Sequence, residues 1–281
     1  MSDERQREIS SLITHHSSLT VMAILNVTPD SFSDGGVHFD RRKAIESALR
    51  MEQDGASMID VGGESTRPGS DAVSIEQELE RVIPVIEGIR AQSSVTISID
   101  TRKARVAQAA LDAGADIIND VSALRHDPEL RTLAAQRGVP VILMHMRGEP
   151  RTMQENIHYD DVVDDVAREL SEWRDDAIAG GIAEDQILID PGIGFGKTFD
   201  HNLEILARCE ELTRIAPVVI GASRKAFIGN LTGQPAGPAR MAGSLAAVAA
   251  AHRGGATIVR VHDVRETVDF LKILGAIEAR R

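Results

Sequence analysis

The feature that most constrains the fold of this chain is a regular alternation of short β-branched runs with longer Ala-rich amphipathic stretches. The strand-like runs are TVMAILNV, SMIDVG, VTISID, DIINDVS, PVILMHM, QILID, PVVIGAS and TIVRVH. Several helical stretches end in a glycine just before the next strand, a common signal of a helix C-terminus, at Gly55, Gly114, Gly138 and Gly254. Eight strand–helix units in succession predict a parallel sheet covered by helices.

The number and spacing of these units favour a closed barrel over an open, doubly wound sheet. Eight units over about 260 residues match the usual size of a closed barrel. No linker rich in Pro, Gly or Ser interrupts them. We therefore predict an α/β protein whose single (β/α)8 TIM barrel domain spans residues 20–281. Residues 1–19 are charged and polar and lack the apolar segment of a secretory signal, so we expect a disordered or loosely packed leader.

Charge and cysteine content exclude several functional classes. Lys plus Arg number 31 against 43 Asp plus Glu, a net charge of −12, so neither nucleic acid nor an anionic membrane is an expected partner. No apolar run approaches the ~20 residues of a membrane-spanning helix. The single cysteine, Cys209, excludes an internal disulfide and a Cys-based metal cluster, and it suits a reducing cytoplasm.

Polar residues concentrate where the predicted strands end, which is where barrel enzymes build their active sites. Strand 1 ends at Asn26 and is followed by roughly a dozen loop residues, although a structural connection needs only about two to six. The later ends supply Asp60, Asp100, Asn119, Asp120, His145, Arg147, Asp190, Ser223, Lys225, Arg260 and His262. The pattern predicts an active site at this end of the barrel.

Several of these residues also have a structural interpretation. Asp100 precedes TRKARVAQAA and could be a helix N-cap, whereas Asp190 is followed by Pro191 and fits a cap less well. Asn119 could be held by purely structural partners within its strand. Asn26 could open a turn with Thr28 and Pro29.

Two glycine-rich loops follow strands 2 and 6. GGESTRPGS supplies hydroxyls and one arginine, and PGIGFGK resembles a phosphate-binding P-loop only loosely, because its first glycine, Gly192, lies too close to Gly196 for the full P-loop spacing. Cationic residues also cluster near strand ends, although the chain as a whole is acidic. This local excess of positive charge indicates an anionic substrate, bound among Arg67, Arg224, Lys225, Arg260 and His262.

Taken together and in order, eight motifs resemble the dihydropteroate synthase family. They are NVTPDSFSDGG, DVGGESTRPGS, SIDTRK, IINDVS, LMHMRG, DPGIGFGK, SRKAFIG and RVHDV, and the resemblance runs from Val21 to Ile277. It implies a (β/α)8 barrel that joins 6-hydroxymethyl-7,8-dihydropterin diphosphate to 4-aminobenzoate and releases diphosphate with Mg²⁺. It also implies a transferase of folate biosynthesis, the enzyme that sulfonamides target, acting as a cytoplasmic homodimer.

The resemblance implies roles for individual residues. The Mg²⁺ ligand would be Asn26. The pterin diphosphate would contact Asp100, Asn119, Asp190, Lys225, Arg260 and His262. The 4-aminobenzoate would contact Phe32, Thr66, Arg67, Pro68, Phe195 and Ser223. The residues expected to carry catalysis are Asn26, Arg67, Asp100, Lys225, Arg260 and His262.

The loop after Asn26 and the GGESTRPGS loop would then be lids that exclude water from a reactive cation. One departure from the family pattern is Ala239–Arg240, where Glu-Arg is frequent. Three alternatives stay open. They are a pterin-dependent methyltransferase on the same barrel, a catalytically silent pterin-binding paralogue, and a generic phosphate-binding barrel enzyme.

Overall fold

A computed structural model describes residues 5, 9–10, 12–13, 19–28, 37–65, 72–149 and 151–280. Eight parallel strands form one sheet in the order β6-β5-β4-β3-β2-β1-β8-β7. A parallel bridge between Ile189 and Val218 joins its two ends and closes the barrel. The predicted (β/α)8 TIM barrel is confirmed. The strands are β1 Thr20–Asn26, β2 Met58–Gly62, β3 Thr96–Asp100, β4 Ile117–Asp120, β5 Val141–Met144, β6 Ile187–Asp190, β7 Val219–Ile220 and β8 Ile258–Val261.

Helices follow the strands and cover the outside of the sheet. Two details depart from a simple alternation: the helical segment between β6 and β7 is interrupted at Arg208, and a short helix follows β7. The helices are α1 Val37–Gln53, α2 Ile75–Arg90, α3 Ala104–Asp112, α4 Pro128–Arg137, α5 Val162–Ala179, α6 Phe199–Ala207, α7 Cys209–Leu212, α8 Ala226–Thr232, α9 Met241–Arg253 and α10 Val264–Glu278. None of those in the described part of the chain is long and apolar enough to cross a membrane.

The apolar residues pack in two main clusters because side chains on a strand alternate between its two faces. The larger cluster fills the layer between sheet and helices. A second lies inside the barrel and forms its floor, with Met22, Met58, Ile117, Ile142, Leu188, Val219 and Ile258. The floor residues are almost completely buried. The interior of the barrel is therefore a packed core below the site.

The N-terminal segment contributes to this floor. Ile9 and Ile13 are each 1% exposed and pack in the same cluster, with Leu12 beside them. Arg5 donates to both carboxylate oxygens of Asp116, at 3.1 and 2.8 Å. The expectation of a disordered or loosely packed leader is wrong for these residues. The i, i+3, i+4 spacing of 9, 12 and 13 is the signal for an amphipathic turn, which here covers the apolar end of the barrel.

Candidate active site

The site is a recess of about 350 Å³ that opens at the carboxyl ends of the strands. Its position follows from a two-residue step along each strand, because residues i and i+2 point to the same face. Apolar floor residues are thus followed by polar residues one layer higher: Met58 by Asp60, Ile117 by Asn119, Leu188 by Asp190 and Ile258 by Arg260. The lining includes Asp100, Asn119, Asp190, Lys225 and Arg260, with Val121, Met144, Ile193 and Phe195 as apolar walls.

Arg260 joins two carboxylates across the barrel. Its Nε donates to Asp60 Oδ2 at 2.6 Å and its Nη2 donates to Asp100 Oδ2 at 2.8 Å. Asn119 Nδ2 donates to the same Asp60 oxygen at 3.1 Å. Burial, reinforced by the nearby charge of Asp60 and opposed by Arg260, raises the pKa of Asp100 to about 7. The two carboxylates hold the guanidinium at the base of the recess.

Asp60 is one of the polar strand ends that predicted the site, but the family resemblance assigned it no role. It is fully buried beneath the recess, and its Oδ1 has no hydrogen-bond partner among the described residues. An unpaired buried carboxylate oxygen costs free energy, which the bonds of Asp60 Oδ2 to Arg260 and Asn119 offset. Its position at a strand end was the available signal.

The helix-cap interpretation of Asp100 is wrong. Helix α3 begins after Lys103, which makes no side-chain cap. The first amide of that helix, Ala104 N, instead donates to Asp127 Oδ2 at 2.8 Å. The Asp100 carboxylate is thereby left to face Arg260 and the recess.

Asp190 ends β6 with one carboxylate oxygen engaged. Its Oδ1 accepts the N–H of Gly192 at 2.7 Å. Its Oδ2 lies beside Gly221, where a Cβ atom would come within 3.6 Å. Burial raises the pKa of Asp190, although the Gly192 amide and Lys225 oppose that shift. The second oxygen is placed to accept a ligand donor in the recess.

Lys225 reaches into the recess from the loop after β7. Its Nζ lies 4.2 Å from the centre of the Phe195 ring, a cation–π contact. Burial lowers the pKa of Lys225 to about 8, and the charge of Arg260 adds to this, whereas Asp190 and Asp100 oppose it. The amine is therefore a cationic donor at neutral pH, and it loses its proton at a pH only slightly higher.

His262 pairs with Ser223 at the rim. The Ser223 hydroxyl accepts the backbone N–H of His262 at 3.2 Å and lies 3.0 Å from its Nδ1. If Ser223 donates to Nδ1, the ring proton sits on Nε2. Burial lowers the pKa of His262 to about 4, with Arg224 and Arg260 adding to the shift. The expectation of a cationic His262 is therefore wrong, because the ring is neutral above that pH.

Arg224 does not join the other cations in the recess. Its Nε donates to Asp263 Oδ2 at 3.1 Å, and its backbone has a positive φ of 58°. Arg240, at the departure from the family pattern, supports the same loop through Nη1, which donates to the carbonyls of Arg224 and Lys225 at 3.1 and 3.2 Å. The departure thus leaves a structural support of Lys225 intact.

Asn26 ends β1 and lies opposite Gly62, which lies opposite Asp100 on the next strand. No group of three or more His, Cys, Asp or Glu among the described residues could hold a metal ion. The donor chemistry nevertheless fits Mg²⁺, which often takes only one or two protein oxygens and fills its remaining positions with water and substrate phosphates. Of the other predicted residues, Phe32, Thr66, Arg67 and Pro68 lie outside the described residues.

The PGIGFGK loop after β6 is a wall of the recess. Its amides are engaged internally: Gly192 N donates to Asp190, Gly194 N to Asn202 Oδ1 at 2.6 Å, and Phe195 N to the Gly192 carbonyl at 3.0 Å. A phosphate-binding loop needs such amides free to face the anion. The structure thus agrees with setting aside the P-loop interpretation.

His145, a candidate from the end of strand 5, is fully buried beneath this loop, away from the lining. Its Nδ1 lies 3.0 Å from Lys197 Nζ and its Nε2 lies 3.1 Å from Glu169 Oε2. Arg147 also pairs with Glu169. Burial, with the charge of Lys197, lowers the pKa of His145 to about 3. Sequence reasoning missed Lys197 and Glu169 because only the fold brings them to His145.

Comparisons with known proteins agree with this geometry. Residues 22–262 match the family model described as pterin binding enzyme. Dihydropteroate synthase of Escherichia coli K12 is 49% identical, with 91% of this chain and 90% of that protein covered. Xanthomonas albilineans dihydropteroate synthase with 4-aminobenzoic acid is 48% identical at a TM-score of 0.89, covering 94% of each chain. A structure of that enzyme with 7,8-dihydropteroate is 45% identical at a TM-score of 0.85, covering 94% of this chain and 95% of the other.

Proposed function

The chain belongs to the pterin-binding enzyme family and has dihydropteroate synthase function, and we propose how its residues divide that reaction. The enzyme is a transferase of folate biosynthesis that condenses 6-hydroxymethyl-7,8-dihydropterin diphosphate with 4-aminobenzoate to give 7,8-dihydropteroate and diphosphate. The observation that carries the proposal is the polar layer of Asp100, Asn119, Asp190 and Lys225 in one recess beside Arg260.

The pterin ring binds in this layer. A pterin offers a ring N–H and a 2-amino group side by side, and the carboxylate of Asp190 accepts both, with Oδ2 and with the lone pair of Oδ1 that the Gly192 amide leaves available. Asn119 donates and accepts at an adjacent edge, and Lys225 donates to the 4-oxo group and a ring nitrogen. Asp100 and Asp60 hold Arg260 below the ring. Because these groups are buried, a ligand that mismatches them leaves polar atoms unpaired, which gives specificity.

The diphosphate leaves toward the cationic side of the recess. Arg260 and the Nε2 proton of neutral His262 stabilise the departing oxygens, with Arg67 as a further cation. Asn26 would hold Mg²⁺ through its amide oxygen, and the ion would supply additional positive charge for that departure. The C–O bond breaks and its electron pair leaves with diphosphate.

The 4-aminobenzoate binds on the outer side of the recess and reacts in the second step. Its ring packs against Phe195, with Phe32, Thr66, Arg67, Pro68 and Ser223 completing its pocket. The electron-rich dihydropterin stabilises the cationic methylene, and the neutral amine attacks it to form the C–N bond. The amine then loses a proton to diphosphate or solvent. Because the aniline nitrogen is nucleophilic while uncharged, no strong general base is required.

Two alternatives share the pterin layer. A pterin-dependent methyltransferase would not need the STRP and SRK motifs together with the loop after Asn26, and all three are present in this chain. A catalytically silent pterin-binding paralogue would be expected to have lost Asn26, which is present in this chain.

We also propose a cytoplasmic homodimer sensitive to sulfonamides. Exposed Ile273 and Ile277 on α10 give a second subunit an apolar face, and the mass in solution tests this.

The reaction is tested by diphosphate release from the purified protein given the pterin diphosphate and Mg²⁺, with and without 4-aminobenzoate. We expect release that depends on 4-aminobenzoate and yields dihydropteroate. Tight pterin binding without release would instead favour the methyltransferase or the silent paralogue. Absence of pterin binding would contradict the family's function for this chain.

A further inference from the structure

Lys197 is buried beneath the loop that forms one wall of the recess, and the reaction described above gives it no role. It is 3% exposed. Its Nζ donates to the Phe195 carbonyl at 3.0 Å and to His145 Nδ1 at 3.0 Å. The amine does not line the recess itself. It therefore contacts the backbone of a wall residue from behind.

The other contacts of His145 determine how it can hold Lys197. Since the Glu169 carboxylate can only accept, His145 Nε2 carries the ring proton and donates to Glu169 Oε2, and Nδ1 of the neutral ring accepts from the Lys197 amine. Glu169 is fixed in turn by Arg147, which also donates to Asp165 Oδ2 at 3.1 Å. Trp173 stacks on the imidazole with ring centres 5.3 Å apart. The imidazole is thus fixed in both tautomer and orientation.

Lys197 holds the backbone carbonyl of Phe195, whose side chain lines the recess. Gly192 allows the loop to approach so closely that an added Cβ would lie 1.9 Å from the His145 carbonyl. On the other side of the loop, the Phe195 ring lies against Lys225 Nζ. Fixing the Phe195 carbonyl therefore restricts where its ring can lie relative to Lys225.

We propose that Lys197 is a positioning residue for the condensation: with His145 and Glu169 behind it, it fixes Phe195 as the wall against which the 4-aminobenzoate ring packs. The proposal rests on the proposed function of this recess. It assigns Lys197 no contact with either substrate, so its effect must pass through Phe195. A role in holding the barrel together would not depend on Phe195, and this difference is measurable.

The test is a double-mutant cycle of Lys197→Met and Phe195→Ala, read as the KM for 4-aminobenzoate, kcat and pterin affinity. Lys197→Met alone should raise that KM about tenfold and change kcat and pterin affinity less than about threefold. In the Phe195→Ala background the same change should alter KM less than about twofold. Independent, multiplicative effects, or an equal loss of pterin affinity, would overturn the proposal.

Lys272→Met, at an exposed lysine on α10, is the control for the chemical change and should leave all three quantities unchanged. If Lys197→Met does not fold, Glu169→Gln takes its place in the cycle, because Glu169 is partly exposed and lies one residue further from the wall. It should raise KM about threefold, again only when Phe195 is present. Wild-type protein that binds pterin but forms no dihydropteroate would refute the proposed function instead.

Discussion

Arg260 Nε lies 2.6 Å from Asp60 Oδ2, although 200 residues separate them in the chain. Asp60 lies on β2 and Arg260 on β8, and β1 pairs with both, so the contact reaches across β1 and joins the first and last parts of the barrel. Asp60 is fully buried and accepts from Asn119 as well. One carboxylate thus orients a cation and an amide of the site.

Asp60→Ala should lower the free energy of unfolding by about 3 kcal/mol, because it leaves part of the Arg260 charge buried without its partner. Urea denaturation measures this. The control is Asp54→Ala, whose partner Arg265 is 69% exposed, and it should cost less than about 1 kcal/mol. Similar losses in both variants would mean that the Arg260–Asp60 contact contributes little more than a surface pair.

Asp190→Asn should weaken binding of a bare pterin by roughly 10- to 100-fold, since an amide cannot accept from both pterin donors and its NH₂ group opposes one of them. Titration calorimetry measures this. Arg260→Ala should instead weaken mainly the binding of the diphosphate-bearing substrate. Equal losses of bare pterin and pterin diphosphate in Arg260→Ala would contradict the separate roles of the two residues.

The KM for pterin diphosphate should rise above pH 8. The pKa of Lys225 is lowered to about 8, so the amine is cationic below that pH and loses its charge above it. The rise should approach about tenfold per pH unit if the charged form alone binds well. Lys225→Arg stays protonated in this range and should lack the alkaline rise, whatever its KM at neutral pH. A rise that persists in this variant would assign the titration to another group.

Gly192→Ala should destabilise the protein by more than about 3 kcal/mol, because the new Cβ would meet the His145 carbonyl at 1.9 Å. Gly233→Ala separates this clash from backbone strain. Gly233 has nearly the same φ, 70° against 68°, but nothing within 4 Å of an added Cβ. It should cost only about 1 kcal/mol. Thermal or urea unfolding that shows equal costs would mean that φ, and not the close approach, requires glycine.

Local patterns in the sequence were sufficient for the barrel and for most of the described recess. The alternation of strand and helix runs predicted eight parallel strands, and the polar strand ends predicted Asp100, Asn119, Asp190, Lys225 and Arg260 as neighbours. This works because a closed parallel barrel brings every carboxyl end to one face, so position along each strand already implies proximity. The sequence also contains the i, i+2 spacing that places a polar residue one layer above each apolar floor residue.

What the sequence could not determine are contacts that depend on how separate elements pack. Asp60 was visible at a strand end, but its bond to Arg260 required closure of the barrel. Lys197 and Glu169 lie far apart in the chain and meet only at His145. The neutral state of His262 results from burial among Arg224 and Arg260. Ile9 and Ile13 are buried because an apolar barrel floor was left to cover. Periodicity depends on neighbours along the chain, whereas pairing, desolvation and protonation depend on neighbours in space, which only the tertiary structure supplies.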